Sequence, residues 1–291
     1  MIDHYAMQNI KVVIADHDIA ARHKVKSNLY TQGFRDFKDI GTFQDLEQAI
    51  FKEMPDLLIA DFRLPGGGVC DLCYRIRHHD FEGNPFVPIV VTADNVDIEI
   101  VKKVVNSGAD HFLVKPWPDL EMDERIKTLI YKRKPFVVTT DYLGPDRRTK
   151  LRDGENSAPS LVVPNVLKAK LVDGTSAEVF QAQVDQATHA VNDHKIASHV
   201  DQILWLTNKI LPVYSGAGAD QMLPNHLDRL IYISEDMARR CEGTRHSHQI
   251  DDLNKLYTIT HNIRSRYNTP DPADVADLEA VTRHIGSRFI R

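Results

Sequence analysis

Five short apolar runs, each giving way to a helical pattern within a few residues, constrain the first 133 residues more than any other feature of the chain. Lys11 to Ala15 reads as a buried strand stopping at Asp16-His17-Asp18; Ile19 to Tyr30 then carries helical spacing and closes at Gly33. A short strand near Phe37 to Gly41 precedes a helix from about Phe43 to Lys52. Leu57 to Ala60 is fully apolar and too brief for a helix, and it stops at Asp61, with a proline and three glycines close behind. Val69 to His79 is helical, and Phe86 to Val91 is a strand broken at Pro88 that ends in Thr92-Ala93-Asp94. Val96 to Asn106 is a helix stopped by Ser107-Gly108. His111 to Val114 is the fifth strand, ending in Lys115-Pro116, and Leu120 to Tyr131 is the last helix. This alternation predicts an α/β fold: a doubly wound five-stranded parallel sheet with helices on both faces.

The chemistry lies where the strands end. Asp16, His17 and Asp18 end the first, Asp61 the third, Thr92 the fourth and Lys115 the fifth, so all meet at one edge of the sheet. Clustered carboxylates are costly unless a divalent cation or a lysine neutralises them. A hydroxyl and an ammonium beside them suit the oxygens of a phosphoryl group. Singly, Asp16 and Asp61 also read as helix caps, Thr92 as strand filler and Lys115 as a solvated strand end. Together they make sense as a carboxylate nucleophile accepting phosphate beside Mg²⁺.

Residues 8–133 resemble the receiver domain of two-component response regulators, on the acidic cluster after strand one, Asp-x-x-Leu-Pro at Asp61–Pro65, Thr92-Ala93 and Lys115-Pro116. The resemblance implies a flavodoxin-like fold in which Asp61 takes phosphate from a histidine kinase or phosphotransfer protein. It implies that Thr92 and Lys115 bind the phosphoryl oxygens, that Phe112 changes rotamer with Thr92, and that the peptide before Pro116 is cis. Mg²⁺ would be held by Asp16, Asp61 and the backbone carbonyl of Arg63. Two departures stand out. His17 occupies the place of a second acid, and neutral imidazole is a poor partner for Mg²⁺, so Asp18 is the expected substitute or the affinity is weak. Val69 stands where the family usually has glycine, with Gly68 one place early. A phosphate-independent pseudo-receiver scaffold is therefore an alternative reading. Arg63 and Asp94 should flank the entrance, where an ion pair would obstruct water and slow hydrolysis of an acyl phosphate; otherwise they are two solvated side chains.

A chain of 291 residues accommodates two domains, and the expected division is 1–133 receiver, 134–175 extended linker and 176–291 helical bundle. Net charge is −5, which argues against a nucleic-acid or anionic-membrane binder by bulk charge. No apolar run approaches the roughly 20 residues of a membrane span, and Met1 to Asn9 lacks a signal-peptide core, so a cytoplasmic protein is expected. Three cysteines argue against a disulfide framework, and Cys70 and Cys73 read as filler on one helix.

Residues 135–175 mix prolines, glycines and charges around a β-like Phe136–Thr140 and a turn-rich Leu143–Arg148, and read as a solvated tether. Tyr142 and the pair Arg147–Arg148 offer a docking element for a partner or for the receiver. From Ser176 the pattern is helical. Phe180, Val184, Ala187 and Val191, then Ile196, Val200, Ile203 and Ile210, predict one long helix jointed near Asn192. Apolar series running to Cys241, Ile263 and Phe289 predict three more, hence a four-helix bundle. This region carries no signature of catalysis and no basic recognition helix, so the chain is expected not to be an enzyme and not to bind DNA. A bundle acting on a downstream protein, or pairing with a second copy, is the favoured output. His261, followed by Arg264, faintly resembles the phosphate-carrying histidine of phosphotransfer bundles, which leaves a phosphorelay intermediate as a further alternative. The other histidines, His194 and His199 among them, read as surface residues.

Overall fold

The computed structural model describes residues 3, 5–148, 160–216 and 220–289, so positions 149–159 of the expected linker lie outside the described residues. The chain forms two compact units, Met1–Ala190 and Val191–Arg291.

The first unit holds the expected sheet. Strands β1 (Lys11–Ala15), β2 (Asp36–Ile40), β3 (Leu57–Asp61), β4 (Ile89–Ala93) and β5 (His111–Val114) are all parallel and lie in the order β2-β1-β3-β4-β5. Helices α1 (Ile19–Gln32), α2 (Phe43–Lys52), α3 (Val69–Arg77), α4 (Ile98–Asn106) and α5 (Asp119–Tyr131) cover it. Successive side chains of a strand point to opposite faces, and that period sorts the core in two. Val13, Ala15, Leu58, Ala60 and Val91 pack with α2, α3 and α4; Val12, Ile14, Leu57, Ile59 and Val90 pack with α1 and α5. Burying each such Leu or Ile contributes about 1.5–3 kcal/mol. Cys73 belongs to the first core, where burial pushes its thiol up to about 12. The three cysteines are free thiols.

Local boundaries follow local chemistry. Gly33 caps α1 at φ 118°, a left-handed conformation that glycine adopts without strain. The fourth strand starts at Ile89 rather than Phe86, because Pro88 has no N–H to give the ladder, although Phe86 and Val87 are buried all the same. Asp97 caps α4 by accepting from the Glu99 N–H at 2.9 Å, so that helix begins after Val96.

The described parts of the expected tether are docked on the first unit. Strand β6 (Phe136–Val138) pairs antiparallel with β7 (Leu143–Pro145) and β8 (Ser160–Leu161). The Phe136 ring is fully buried, 5.2 Å from the Arg77 guanidinium and 5.1 Å from that of Arg133, with its face at 74° to Phe86. Arg77 is itself buried. It donates to the carbonyls of Gly108, Pro85 and Val87 and to Asp110, while Arg133 binds both oxygens of the same carboxylate. Gly108 sits at φ +80°, and a Cβ there would come within 2.4 Å of the Leu143 carbonyl oxygen, so strand β7 can lie flat only against a glycine. Further on, α6 (Val166–Lys168) runs into a π-helical turn (Ala169–Asp173) that places Val166, Leu167 and Leu171 in the second core. Lys170 Nζ lies 2.8 Å from both oxygens of Asp56.

The long helix α7 (Ala177–Tyr214) is continuous through Asn192. Phe180 near its start packs on the second core of the first unit, and the second unit runs from Val191, against the expected start at 176. Ile196, Val200, Ile203, Leu206 and Ile210 from its later half pack with α8 (Leu223–Cys241), α9 (Ile250–Ser265) and α10 (Pro272–Phe289). His199, expected at the surface, is fully buried: its Nε2 lies 2.8 Å from Asp236 Oδ2, which also accepts from Arg240 Nε at 2.7 Å. Among the described residues no helix is long and apolar enough to cross a membrane.

Candidate functional site

Parallel register brings the strand-end residues together as expected. Asp61 closes β3 and pairs with Thr92 of β4; Thr92 pairs in turn with Leu113 of β5, two residues before Lys115. Asp16 directly follows β1, the other neighbour of β3. Asp16, Asp61 and Thr92 are buried. Lys115 Nζ donates at 2.5 Å to Asp16 Oδ2 and at 2.5 Å to Asp61 Oδ2, bridging the two acids. Burial alone would pull the lysine's pKa down, but its hydrogen bonds and ion pairs with Asp16 and Asp61 outweigh that and raise it.

The backbone shapes the rest of the pocket. Asp61 Oδ1 accepts from the Arg63 N–H at 2.8 Å, and Asp16 Oδ1 accepts from the Asp18 N–H at 2.9 Å. Arg22 Nη1 donates to the Asp16 carbonyl and, at 3.4 Å, to that of His17, tying the first loop to α1. The peptide between Lys115 and Pro116 is cis, as the resemblance implied.

Three expectations change. Asp18 is not gathered with the other acids: its Oδ1 accepts from the Ala20 N–H at 2.8 Å and caps α1. His17 takes that place, and ligand atoms of Asp16, His17 and Asp61 lie within 4.8 Å of one another. Asp94 does not pair with Arg63 among the described residues; its Oδ1 lies 3.7 Å from Lys115 Nζ instead. Phe112, opposite Val91 in the ladder, is half-buried against the first core.

Two buried carboxylates converging on one point fit a divalent cation, and both are oxygen donors of the kind Mg²⁺ takes. The imidazole of His17, half exposed and 3.5 Å from Asp16 Oδ1, adds a nitrogen donor that suits softer metals better.

In the helical unit, His261 is exposed on α9 with its ring 6.1 Å from that of Tyr257. Arg264, expected to hold a phosphate beside it, is gripped by Asp228 through Nε at 2.7 Å and Nη2 at 3.1 Å. Sequence reasoning missed the Arg77–Asp110–Arg133 cluster entirely; the one visible signal was the basic string at Lys132–Lys134 running into the β-like Phe136 segment.

Residues 12–127 match the family described as the response regulator receiver domain. The chain is 31% identical over 130 residues to the phosphate regulon transcriptional regulatory protein PhoB of Rhizobium meliloti (strain 1021), covering 45% of this chain and 56% of that protein. It is 32% identical over 120 residues to the transcriptional regulatory protein AfsQ1 of Streptomyces coelicolor, covering 41% and 50%. A third relative, 28% identical over 40% of this chain and 49% of its own length, is the DNA-binding response regulator MtrA of Mycolicibacterium paratuberculosis. The chain thus spans about half the length of the curated relatives it matches. Among solved structures, a two-component response regulator from Clostridium difficile aligns at 23% identity with a TM-score of 0.38, over 42% of this chain and 97% of that one. The chemotaxis response regulator CheY4 of Vibrio cholerae aligns at 20% identity with a TM-score of 0.37, over 40% and 96%. Residues 12–127 are a response regulator receiver domain of two-component systems.

Proposed function

We propose that Asp61 is the phosphoacceptor of a response regulator that signals through its helical unit by protein contacts. The observation that carries this reading is the bridge from Lys115 Nζ to Asp16 and Asp61, 2.5 Å to each. One carboxylate oxygen of Asp61 attacks the phosphorus of a phosphohistidine on a kinase or phosphotransfer protein. An O–P bond forms, the N–P bond breaks, and the donor's imidazole leaves with the electron pair. Lys115, already aimed at that oxygen, meets the charge gathering on the phosphoryl group, and the Thr92 hydroxyl is the neighbour placed to donate to it. Asp16, Asp61 and the Arg63 carbonyl would hold Mg²⁺, with His17 beside them weakening its affinity. A bound Mg²⁺ supplies charge neutralisation at the phosphoryl oxygens.

After transfer, Asp61 bears more negative charge, which draws Thr92 and Lys115 toward it and opens room for Phe112 to move inward. The half-buried position of Phe112 supports that motion, because a ring packed on only one side has a second place to go. The surface around it is where a downstream protein or a second copy would dock. A cytoplasmic location and the absence of DNA binding belong to this reading. The engagement of Arg264 by Asp228 makes phosphate transfer through His261 the weaker route.

Labelling with acetyl phosphate and Mg²⁺, read by intact mass, tests the proposal. Wild type should gain one phosphoryl group and Asp61→Asn none, with wild-type oligomeric mass measured before and after. Equal labelling of both proteins defeats it. No labelling of either leaves the phosphate-independent scaffold as the better account.

A further inference from the structure

At the other edge of the same sheet, a cleft of about 260 Å³ opens between the start of β5, the last turns of α5 and the docked segment after β7. His111 begins β5 and Lys115 follows its end, so roughly 13 Å of strand separates this cleft from the acid pocket. His111, Arg125, Lys132, Arg133, Lys134 and Arg147 line it, against one acid, Asp110. That acid has nothing to offer the cleft. Its oxygens are held by Arg77 at 3.0 Å, by Arg133 at 2.7 Å and by the Ile89 N–H at 2.9 Å. Asp146, next to Arg147 in the chain, is taken by Arg148 at 2.9 and 2.7 Å. Arg125 shares Glu121 at 3.1 Å. Among the described residues no ion pair engages Lys132, Lys134 or Arg147. The Arg147 guanidinium is nonetheless fixed at the wall, because its Nη2 donates to the Ala109 carbonyl at 2.5 Å.

We propose that this cleft is a binding site for a phosphate-bearing small anion, with a phosphate or diphosphate group seated among Arg125, Lys132, Lys134 and Arg147. Cations crowded around one concavity whose single lining acid is already engaged favour a multiply charged oxyanion, and guanidinium groups match phosphate oxygens two at a time. The volume lies below the roughly 300–1,000 Å³ of pockets that enclose whole organic ligands, so the phosphate enters and any remainder stays outside. His111 supports the same conclusion. Burial, together with the charges of Arg125, Arg147 and Arg133, pulls its pKa down to about 4 against the opposing pull of Asp110. This site is independent of phosphorylation at Asp61.

The test is a titration of the full chain with inorganic pyrophosphate at constant ionic strength and without divalent cation. Calorimetry and the His111 imidazole resonance in NMR are the readouts. Pyrophosphate should bind and raise the His111 pKa. Lys132→Glu/Lys134→Glu should weaken binding at least tenfold, Arg147→Gln should weaken it severalfold, and Lys103→Glu on α4 should leave it unchanged. An arm with adenosine diphosphate separates sources: tighter binding than pyrophosphate means that the remainder of a nucleotide adds contacts, and equal binding means that the phosphates suffice. An unmoved His111 resonance at millimolar pyrophosphate overturns the proposal. So does a loss in Lys103→Glu equal to that in the double variant, since bulk charge would then explain the binding.

Discussion

The receiver contains two buried charge clusters at opposite edges of one sheet, and they differ in how completely the charges are answered. At the strand C-termini, Asp16 and Asp61 share the single ammonium of Lys115, which leaves an excess of negative charge beside a half-exposed His17. Below, Asp110 is held by two guanidiniums and a backbone N–H, and the surplus positive charge is absorbed by the carbonyls of Gly108, Pro85, Val87 and Phe86. The first cluster is unfinished, and in the proposed function it takes a cation and a phosphoryl group. The second is closed and fastens a loop-rich segment to the sheet. Burial of charge is therefore not a mark of function by itself; an unmet demand for a partner is.

The sharpest way to break this contrast is at Lys115. Lys115→Met should lower the rate of labelling by acetyl phosphate by about 100–1,000-fold, the effect of removing one charge stabiliser from a transition state. Wild-type rates in that variant would mean that the bridge is structural only. In the closed cluster, Arg77→Ala leaves Asp110 with only Arg133 and the Ile89 N–H and opens a void under Phe136. It should cost about 3–5 kcal/mol in urea unfolding of the receiver, with labelling at Asp61 retained by the folded fraction.

His111, beside the closed cluster, links it to pH. Its pKa falls from 6.5 to about 4 on folding, so the unfolded chain binds the proton more readily. The stabilising contribution of neutral His111 is complete above pH 6.5 and is lost as pH falls toward 4, by up to about 3 kcal/mol. His111→Asn should flatten that part of the stability–pH curve. Gly108→Ala should cost about 1–3 kcal/mol through its positive φ and the clash with Leu143, and protease should then cut first after β6. At the small end, the exposed pair Lys11–Glu53 should contribute within about 0–1 kcal/mol, so Lys11→Ala is expected to change the unfolding midpoint little.

Much of the receiver was legible because its signals are local. The fully apolar run Leu57–Ala60, the stop at Gly33 and the helical spacing of Phe43–Lys52 each need only a few neighbouring residues, and the elements formed there. Position at strand ends is equally legible, and it singles out Asp16, Asp61, Thr92 and Lys115 without any long-range contact. Asp18 caps α1, and His17 rather than Asp18 lies beside Asp16 and Asp61, because the capping of α1 and the direction of an imidazole depend on loop geometry that adjacent residues do not reveal. His199 looked like any other histidine; its burial depends on Asp236, 37 positions away.

By itself, then, the amino-acid order determined the α/β alternation, the parallel sheet and the set of side chains at its functional edge, because strand and helix periods are written in short windows. Only the tertiary structure decided that residues 136–148 and 160–173 belong to the first unit, that α7 divides its packing near Val191, and that Asp110 binds Arg77 and Arg133. Those outcomes rest on contacts between distant segments. Phe136 is an ordinary aromatic in a polar stretch until two guanidiniums and Phe86 enclose it, and no local pattern in the chain encodes that enclosure.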